Sequence, residues 1–164
     1  MNPVGELLSV DDIELDLDVP GKETLLKRIA ATLARRHHLN EAEVLESLTS
    51  REELGSTAVG HGVAIPHARM TQCGAAAGVF VRTRVGIPFD ASDGKPVSLF
   101  LGLIVPQQAN ERHLKLLATA AAMFSDRSFR DQIRACANSN AMHALLTAWP
   151  DSPLSQGRDK PNPT

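Results

Sequence analysis

Cysteine is scarce in this 164-residue chain: Cys73 and Cys136 are the only two, and they form no C-x-x-C pair. Two cysteines cannot staple a disulfide scaffold, so reduced thiols and a cytoplasmic location are expected. No apolar run approaches the roughly 18 residues of a membrane span. The opening Met-Asn-Pro-Val-Gly-Glu lacks the basic and apolar regions of a signal peptide. A strong excess of charge is also missing, and the formal net charge of −2 argues against general nucleic-acid binding, which requires a clearly basic surface. The basic cluster Arg35-Arg36-His37-His38 reads instead as a solvated helix end, where cations are favoured. The six histidines include no His-x-x-x-His spacing, so no metal site is expected. No G-x-S-x-G occurs, which removes the usual serine-hydrolase elbow. There is no internal repeat and no motif calling for a cofactor.

What remains is an ordinary globular composition, 43% hydrophobic and 22% charged, long enough for one domain with a real core. Residues 1–12 read as a loose lead-in. Ile13 to Asp18 alternates apolar and acidic residues, as a half-buried strand does. Lys22 to His37 is expected to be helical, with Leu26, Ile29, Ala30 and Leu33 on one face. A second helix should start at an Asn40 cap with Glu43 in capping-box spacing, and Ser50 with Glu53 suggests a fresh helical turn at Arg51 that stops at Gly55. Strands are expected over Val59–Ile65, Ala75–Val85 and Val97–Val105, the last a nearly unbroken apolar run suited to a centre covered on both faces. Asn110 should cap a long helix, with two more helices over Asp126–Ala135 and Asn140–Trp149. Helices before, between and after apolar strands imply a three-layer α/β/α sandwich around a mixed sheet, an α/β fold spanning residues 8–149, with 150–164 as a disordered tail.

The chemistry concentrates in Gly60-His-Gly-Val-Ala-Ile-Pro-His-Ala-Arg69. Pro66 fixes its own φ and pushes Ile65 toward extended geometry, so His67 is delivered, rigidly aimed, to the rim of a sheet. Neutral imidazole is a nucleophile near pH 7 and needs no separate base, which makes His67 a candidate covalent carrier. His113 is the second candidate. It falls in the first turn of the helix after Asn110, where the positive helix end disfavours imidazolium and attracts anions. There it could donate one N–H to a phosphate oxygen while contributing little to core packing. The third is Arg51, whose planar fork suits phosphate, with Ser56 or Thr57 able to add a hydroxyl donor. Nucleophile, neutral donor and permanent cation together form a kit for phosphoryl transfer through phosphohistidine.

Three segments, Ser50-Arg-Glu-Glu-Leu-Gly-Ser-Thr57, Gly62-Val-Ala-Ile-Pro-His-Ala68 and Val105-Pro106 with His113-Leu-Lys-Leu-Leu-Ala118, resemble the type-2 (fructose/mannitol) enzyme IIA domain of the bacterial phosphotransferase system. The likeness covers about residues 8–149. It implies that His67 is the phosphorylated histidine, with His113 its site partner, Arg51 a third site residue and an α/β/α sandwich as the fold. A short chain without transporter or IIB segments looks most like the nitrogen-regulatory branch. That branch takes phosphate from a histidine-containing phosphocarrier protein and binds regulatory targets such as potassium-transport and sensor-kinase proteins. A sugar-specific enzyme IIA passing phosphate to a IIB component is the alternative, and an interaction module with a dead site is a third reading. Two positions depart from the family pattern: His61 stands where Asn is common and Ala68 where Gly is common. Ala68 should be tolerated unless its φ is positive. His61 shares a strand face with His67 by period 2, so it either reaches the site or points to solvent. A carrier must also meet a partner, and Ala64, Ala68, Met70 and Val105-Pro106 are the expected apolar rim.

Overall fold

The computed structural model describes residues 2–108 and 110–150. The tail expected at 150–164 lies outside those residues from 151 onward. The sheet is mixed and holds six strands, β1 (Ile13–Leu17), β2 (Ala58–Gly60), β3 (Val63–Ala64), β4 (His67–Met70), β5 (Ala77–Ile87) and β6 (Val97–Pro106). Its order is β1-β5-β6-β3-β2, with β4 also pairing with β6. The pairs β1/β5, β3/β6 and β4/β6 are parallel, whereas β5/β6 and β2/β3 are antiparallel. β6 is the centre of this arrangement.

Alternation along β6 divides the core in two. Leu99, Leu101, Leu103 and Val105 face α1 (Pro3–Leu7), α4 (Glu111–Ser125), α5 (Arg127–Ala135) and α6 (Ser139–Ala148). Val97, Phe100 and Ile104 face α2 (Lys22–His37) and α3 (Glu41–Glu53). Gly102 lies against Ile29, and a Cβ there would come within 2.7 Å of the Ile29 Cγ2 atom, so α2 packs directly on the strand backbone. The result is the expected α/β/α sandwich.

α2 has the predicted limits and ends where His38 enters the left-handed region at φ 56°. The Asn40 side chain accepts the Glu43 N–H at 3.0 Å to start α3. No fresh turn begins at Arg51. α3 runs unbroken from Glu41 to Glu53, because its Val44 and Leu48 continue one buried stripe.

Three further expectations are corrected. The first residues are not a loose lead-in. The buried Asn2 caps α1 through its contact with the Gly5 N–H (2.8 Å) and donates to the Leu146 (2.8 Å) and Trp149 (3.0 Å) carbonyls, fastening the start of the chain to the end of α6. Behind it, Asp12 is buried, which opposes its ionisation. The Ser9 N–H, Arg36 and His37 outweigh that and hold its carboxyl below the usual range. The segment 59–65 is likewise not one strand. His61 (φ 58°) and Gly62 (φ 78°) both take left-handed backbone and close a two-residue hairpin between β2 and β3, the geometry that matches the twist of antiparallel strands. Helix α6 also starts a residue early, capped by Asn138.

Candidate active site

β6 carries its partners to one end of the sheet. The Pro66 carbonyl accepts the Leu103 N–H at 2.9 Å, and β4 begins immediately afterwards with His67 paired to Leu103. Proline, unable to donate a ladder bond itself, thus marks the break between β3 and β4 and sets where the imidazole emerges. The His67 Nδ1 lies 2.7 Å from the Ile65 carbonyl oxygen. A carbonyl only accepts, so Nδ1 carries the proton and neutral His67 keeps its lone pair on Nε2. Ala68 sits in regular strand with no positive φ, so alanine is accommodated there as expected.

His113 is fixed the opposite way. Asn110 caps α4, its side chain accepting the His113 N–H at 3.2 Å, and the Asn110 backbone N–H points back to the His113 Nδ1 at 3.2 Å. The imidazole occupies the reciprocal half of a capping box, the role usually filled by Glu or Gln. Because Nδ1 accepts, the neutral ring bears its hydrogen on Nε2, free to donate. At 8% exposure His113 is buried, so it supports the helix end as well as facing the site, contrary to the slight packing role expected of it.

His67, His113 and Arg51 line one cleft of about 520 Å³. Arg51, in the last turn of α3, donates from Nη1 to the Gly55 carbonyl at 2.9 Å, leaving most of its five donors uncommitted. The cleft also takes in Arg69, Ser47 and Ser50, which sequence reasoning did not single out. Period 2 places Arg69 on the His67 face of β4, and Ser47 lies one helical turn before Arg51. These are the signals that could have found them. Two imidazoles, two guanidiniums, two hydroxyls and the Glu46 carboxylate therefore converge on one concave surface.

Ser56 and Thr57 do not join it. The Ser56 hydroxyl donates to the Phe89 carbonyl (2.6 Å). Thr57 donates to the buried Glu52 carboxylate from its hydroxyl (2.6 Å) and its N–H (3.0 Å), and Lys22 pairs with the same carboxylate at 3.0 Å. Both side chains are committed to holding the α3–β2 loop, and neither lines the cleft as a phosphate-binding hydroxyl there would. His61 lies in the β2–β3 hairpin, lining a different cleft with Lys95 and Arg134. The break in the strand removes the period-2 argument that would have brought it to His67.

The apolar rim matches expectation in part. Ala68 and Val105 are buried but line the cleft, whereas Ala64 and Met70 are buried outside its lining and Pro106 lines a neighbouring cleft that His113 shares. The exposed apolar side chains around the cleft are Leu54, at 84%, and Leu114, at 58%, one from each helix flanking His67. Among the described residues no helix is long and apolar enough to cross a membrane, and no group of three or more His, Cys, Asp or Glu side chains could hold a metal ion.

A mixed sheet flanked by helices is the architecture of one family of phosphotransfer carriers. The family model described as "Phosphoenolpyruvate-dependent sugar phosphotransferase system, EIIA 2" matches residues 6–149, and the chain belongs to that family. Within it, the chain is 36% identical over 148 residues to the nitrogen regulatory protein of Bradyrhizobium diazoefficiens, covering 90% of this chain and 97% of that one. It is 38% identical over 133 residues to the nitrogen regulatory protein of Pseudomonas aeruginosa, covering 79% and 86%. The crystal structure of nitrogen regulatory protein IIA-Ntr from Neisseria meningitidis superimposes with a TM-score of 0.84 at 42% identity, over 88% of this chain and 99% of that one.

Proposed function

We propose that this chain is a cytoplasmic phosphohistidine carrier of the nitrogen-regulatory kind, taking a phosphoryl group onto Nε2 of His67 from a histidine-containing phosphocarrier protein. The observation that carries this reading is the bond between the His67 Nδ1–H and the Ile65 carbonyl, which leaves Nε2 as the nucleophile. The P–N bond to the donor's imidazole breaks as the bond to Nε2 forms. The donor ring departs with the electron pair, and His67 keeps its Nδ1 proton against the carbonyl oxygen. The His113 Nε2–H and the Arg51 and Arg69 guanidiniums meet the charge on the transferring oxygens.

Leu54 and Leu114 flank the cleft where a partner must seat, and their burial would exclude water during transfer. A phosphate adds about −1.5 to −2 charges at that rim. Targets that dock on the unmodified face, such as potassium-transport or sensor-kinase proteins, are therefore released when His67 is phosphorylated. The regulatory reading is favoured over the sugar-specific one by the names of the relatives above and their 36%, 38% and 42% identity to this chain.

Incubation with phosphoenolpyruvate, the system's enzyme I and its phosphocarrier protein, followed by mass spectrometry at neutral to alkaline pH to spare the P–N bond, tests the carrier. A mass gain of one phosphoryl group that is absent from His67→Ala is expected. Label persisting in His67→Ala overturns the assignment, and transfer onward to a IIB protein would move the chain to the sugar-specific class.

A further inference from the structure

The opposite end of β6 holds a second charged cleft. Its volume is about 360 Å³, and it is lined by Lys95 and Pro96 ahead of β6, by His61 and Gly62 of the β2–β3 hairpin, and by Arg127, Arg130, Asp131 and Arg134 of α5. Val97 opens β6 here and Leu103 marks the level of His67, so along the strand the two clefts stand about 20 Å apart.

Arg127, Arg130 and Arg134 recur at i, i+3 and i+7, which puts three guanidiniums on one face of a nine-residue helix. Lys95 adds a fourth cation across the cleft. None of the four makes an ion pair with a carboxylate among the described residues. The acids nearby are Asp131 in the lining and Asp93, whose carboxylate is occupied by the His61 and Lys95 backbone N–H groups. Like charges at this spacing oppose the helix that carries them. Burial and the neighbouring Arg130 charge pull the Arg134 guanidinium below its ordinary range, with Asp131 opposing.

Arg130 supplies the second observation. It is only 6% exposed, yet among the described residues its side chain makes one hydrogen bond, from Nη1 to the Phe124 carbonyl at 2.9 Å. A guanidinium has five N–H donors, so Arg130, which lines the cleft, keeps donors that no protein group among the described residues accepts. A buried cation with unused donors, ringed by three more cations, is a receptor for an anion. Arg134 meanwhile donates to the His61 carbonyl from Nη2, so the hairpin is locked to α5 and the walls are preformed. A Cβ on Gly62 would come within 2.7 Å of that Nη2 atom, which shows how closely the guanidinium lies over the turn.

We propose that this cleft binds a small molecule bearing a di- or triphosphate group, as a ligand site separate from the phosphoryl-transfer cleft. Four cations exceed what a single phosphate requires, and the lining holds no Phe, Tyr or Trp to stack a base, its one aromatic ring being the small His61 imidazole. The phosphate chain is therefore the recognised element.

Calorimetric titration of the full chain with inorganic pyrophosphate, inorganic phosphate and poly-glutamate at low salt tests this. Pyrophosphate should bind more tightly than the other two. Arg127→Gln and Lys95→Gln, both at exposed positions, should each weaken it by about tenfold, the loss of one charge-assisted contact. Arg69→Gln, at the His67 end, should leave pyrophosphate affinity unchanged. Should buried Arg130→Met fail to fold, the two exposed variants carry the test. Affinity for pyrophosphate weaker than about 1 mM overturns the proposal. So does equal loss in Arg69→Gln, which would place the anion at the transfer site, and so does tighter binding of poly-glutamate, which would make the cleft a protein contact.

Discussion

The two ends of β6 handle charge in opposite ways. At its carboxyl end both imidazoles are held by a backbone group, His67 by the Ile65 carbonyl and His113 by the Asn110 N–H. At its amino end Arg127, Arg130, Arg134 and Lys95 gather with no carboxylate paired to any of them among the described residues, and only the Phe124 and His61 carbonyls accept from Arg130 and Arg134. The first arrangement sets which nitrogen of each ring carries a proton, the requirement for moving a phosphoryl group. The second fixes no proton and concentrates positive potential, the requirement for holding an anion without reacting with it. Preorganised tautomers distinguish a transfer site from a receptor site.

The comparison breaks most visibly at His113. His113→Ala removes the Nε2–H donor and should slow phosphoryl transfer to His67 by about 10²-fold, the size typical of one preorganised donor. Since His113 also completes the capping box, the same variant should lose about 1 kcal/mol of stability. That corresponds to a melting temperature lower by about 2–4 °C for a chain of this size. Single-turnover transfer and thermal denaturation read the two effects separately. Wild-type transfer with only the stability loss would reduce His113 to a helix cap.

Arg51→Lys should have a smaller effect. An ammonium keeps the charge but cannot reach the Gly55 carbonyl and a phosphate oxygen with one planar fork. Transfer is expected to fall by about tenfold, with stability nearly unchanged because the Gly55 contact is exposed. Full activity in Arg51→Lys would mean that charge alone is used at this position, as at the other end of the strand.

Much of the transfer end was legible because its signals are local. Pro66 before His67, the Asn110 cap with His113 three residues on, and the apolar run of β6 each act within a few residues, and each forms the expected element. The misreadings share a different cause. Asn2 is ordered by carbonyls 144 and 147 residues away. Ser56 and Thr57 are claimed by Phe89 and Glu52 once the loop folds back on the core. The rim moves from the buried Ala64 and Met70 to Leu54 and Leu114 because strand residues at the sheet centre are covered by helices on both faces. The receptor end was illegible throughout. Its cations come from a loop before β6 and a helix after it, and the hairpin that joins them required recognising His61-Gly62 as two left-handed residues rather than part of one strand.

The smallest expected effect sharpens the contrast from the receptor side. Arg127 opens α5, whose first turn holds no acidic residue, and only the Asp126 cap answers the positive helix end there. A cation at that position opposes the helix macrodipole, by about 0.3–1 kcal/mol at low ionic strength, and adds repulsion from Arg130. Arg127→Gln relieves both terms without setting a carboxylate against Asp131 at i+4, and should raise the melting temperature by about 1–2 °C in low salt, the gain shrinking as salt screens it. Phosphoryl transfer at His67 should be unchanged, since the substitution lies at the other end of β6. Pyrophosphate, which stabilises the wild type by binding only the folded chain, should raise the melting temperature of the variant less. A variant that is less stable than wild type in every salt condition would show instead that Arg127 supports the fold, and the division between the two ends would fail at that residue.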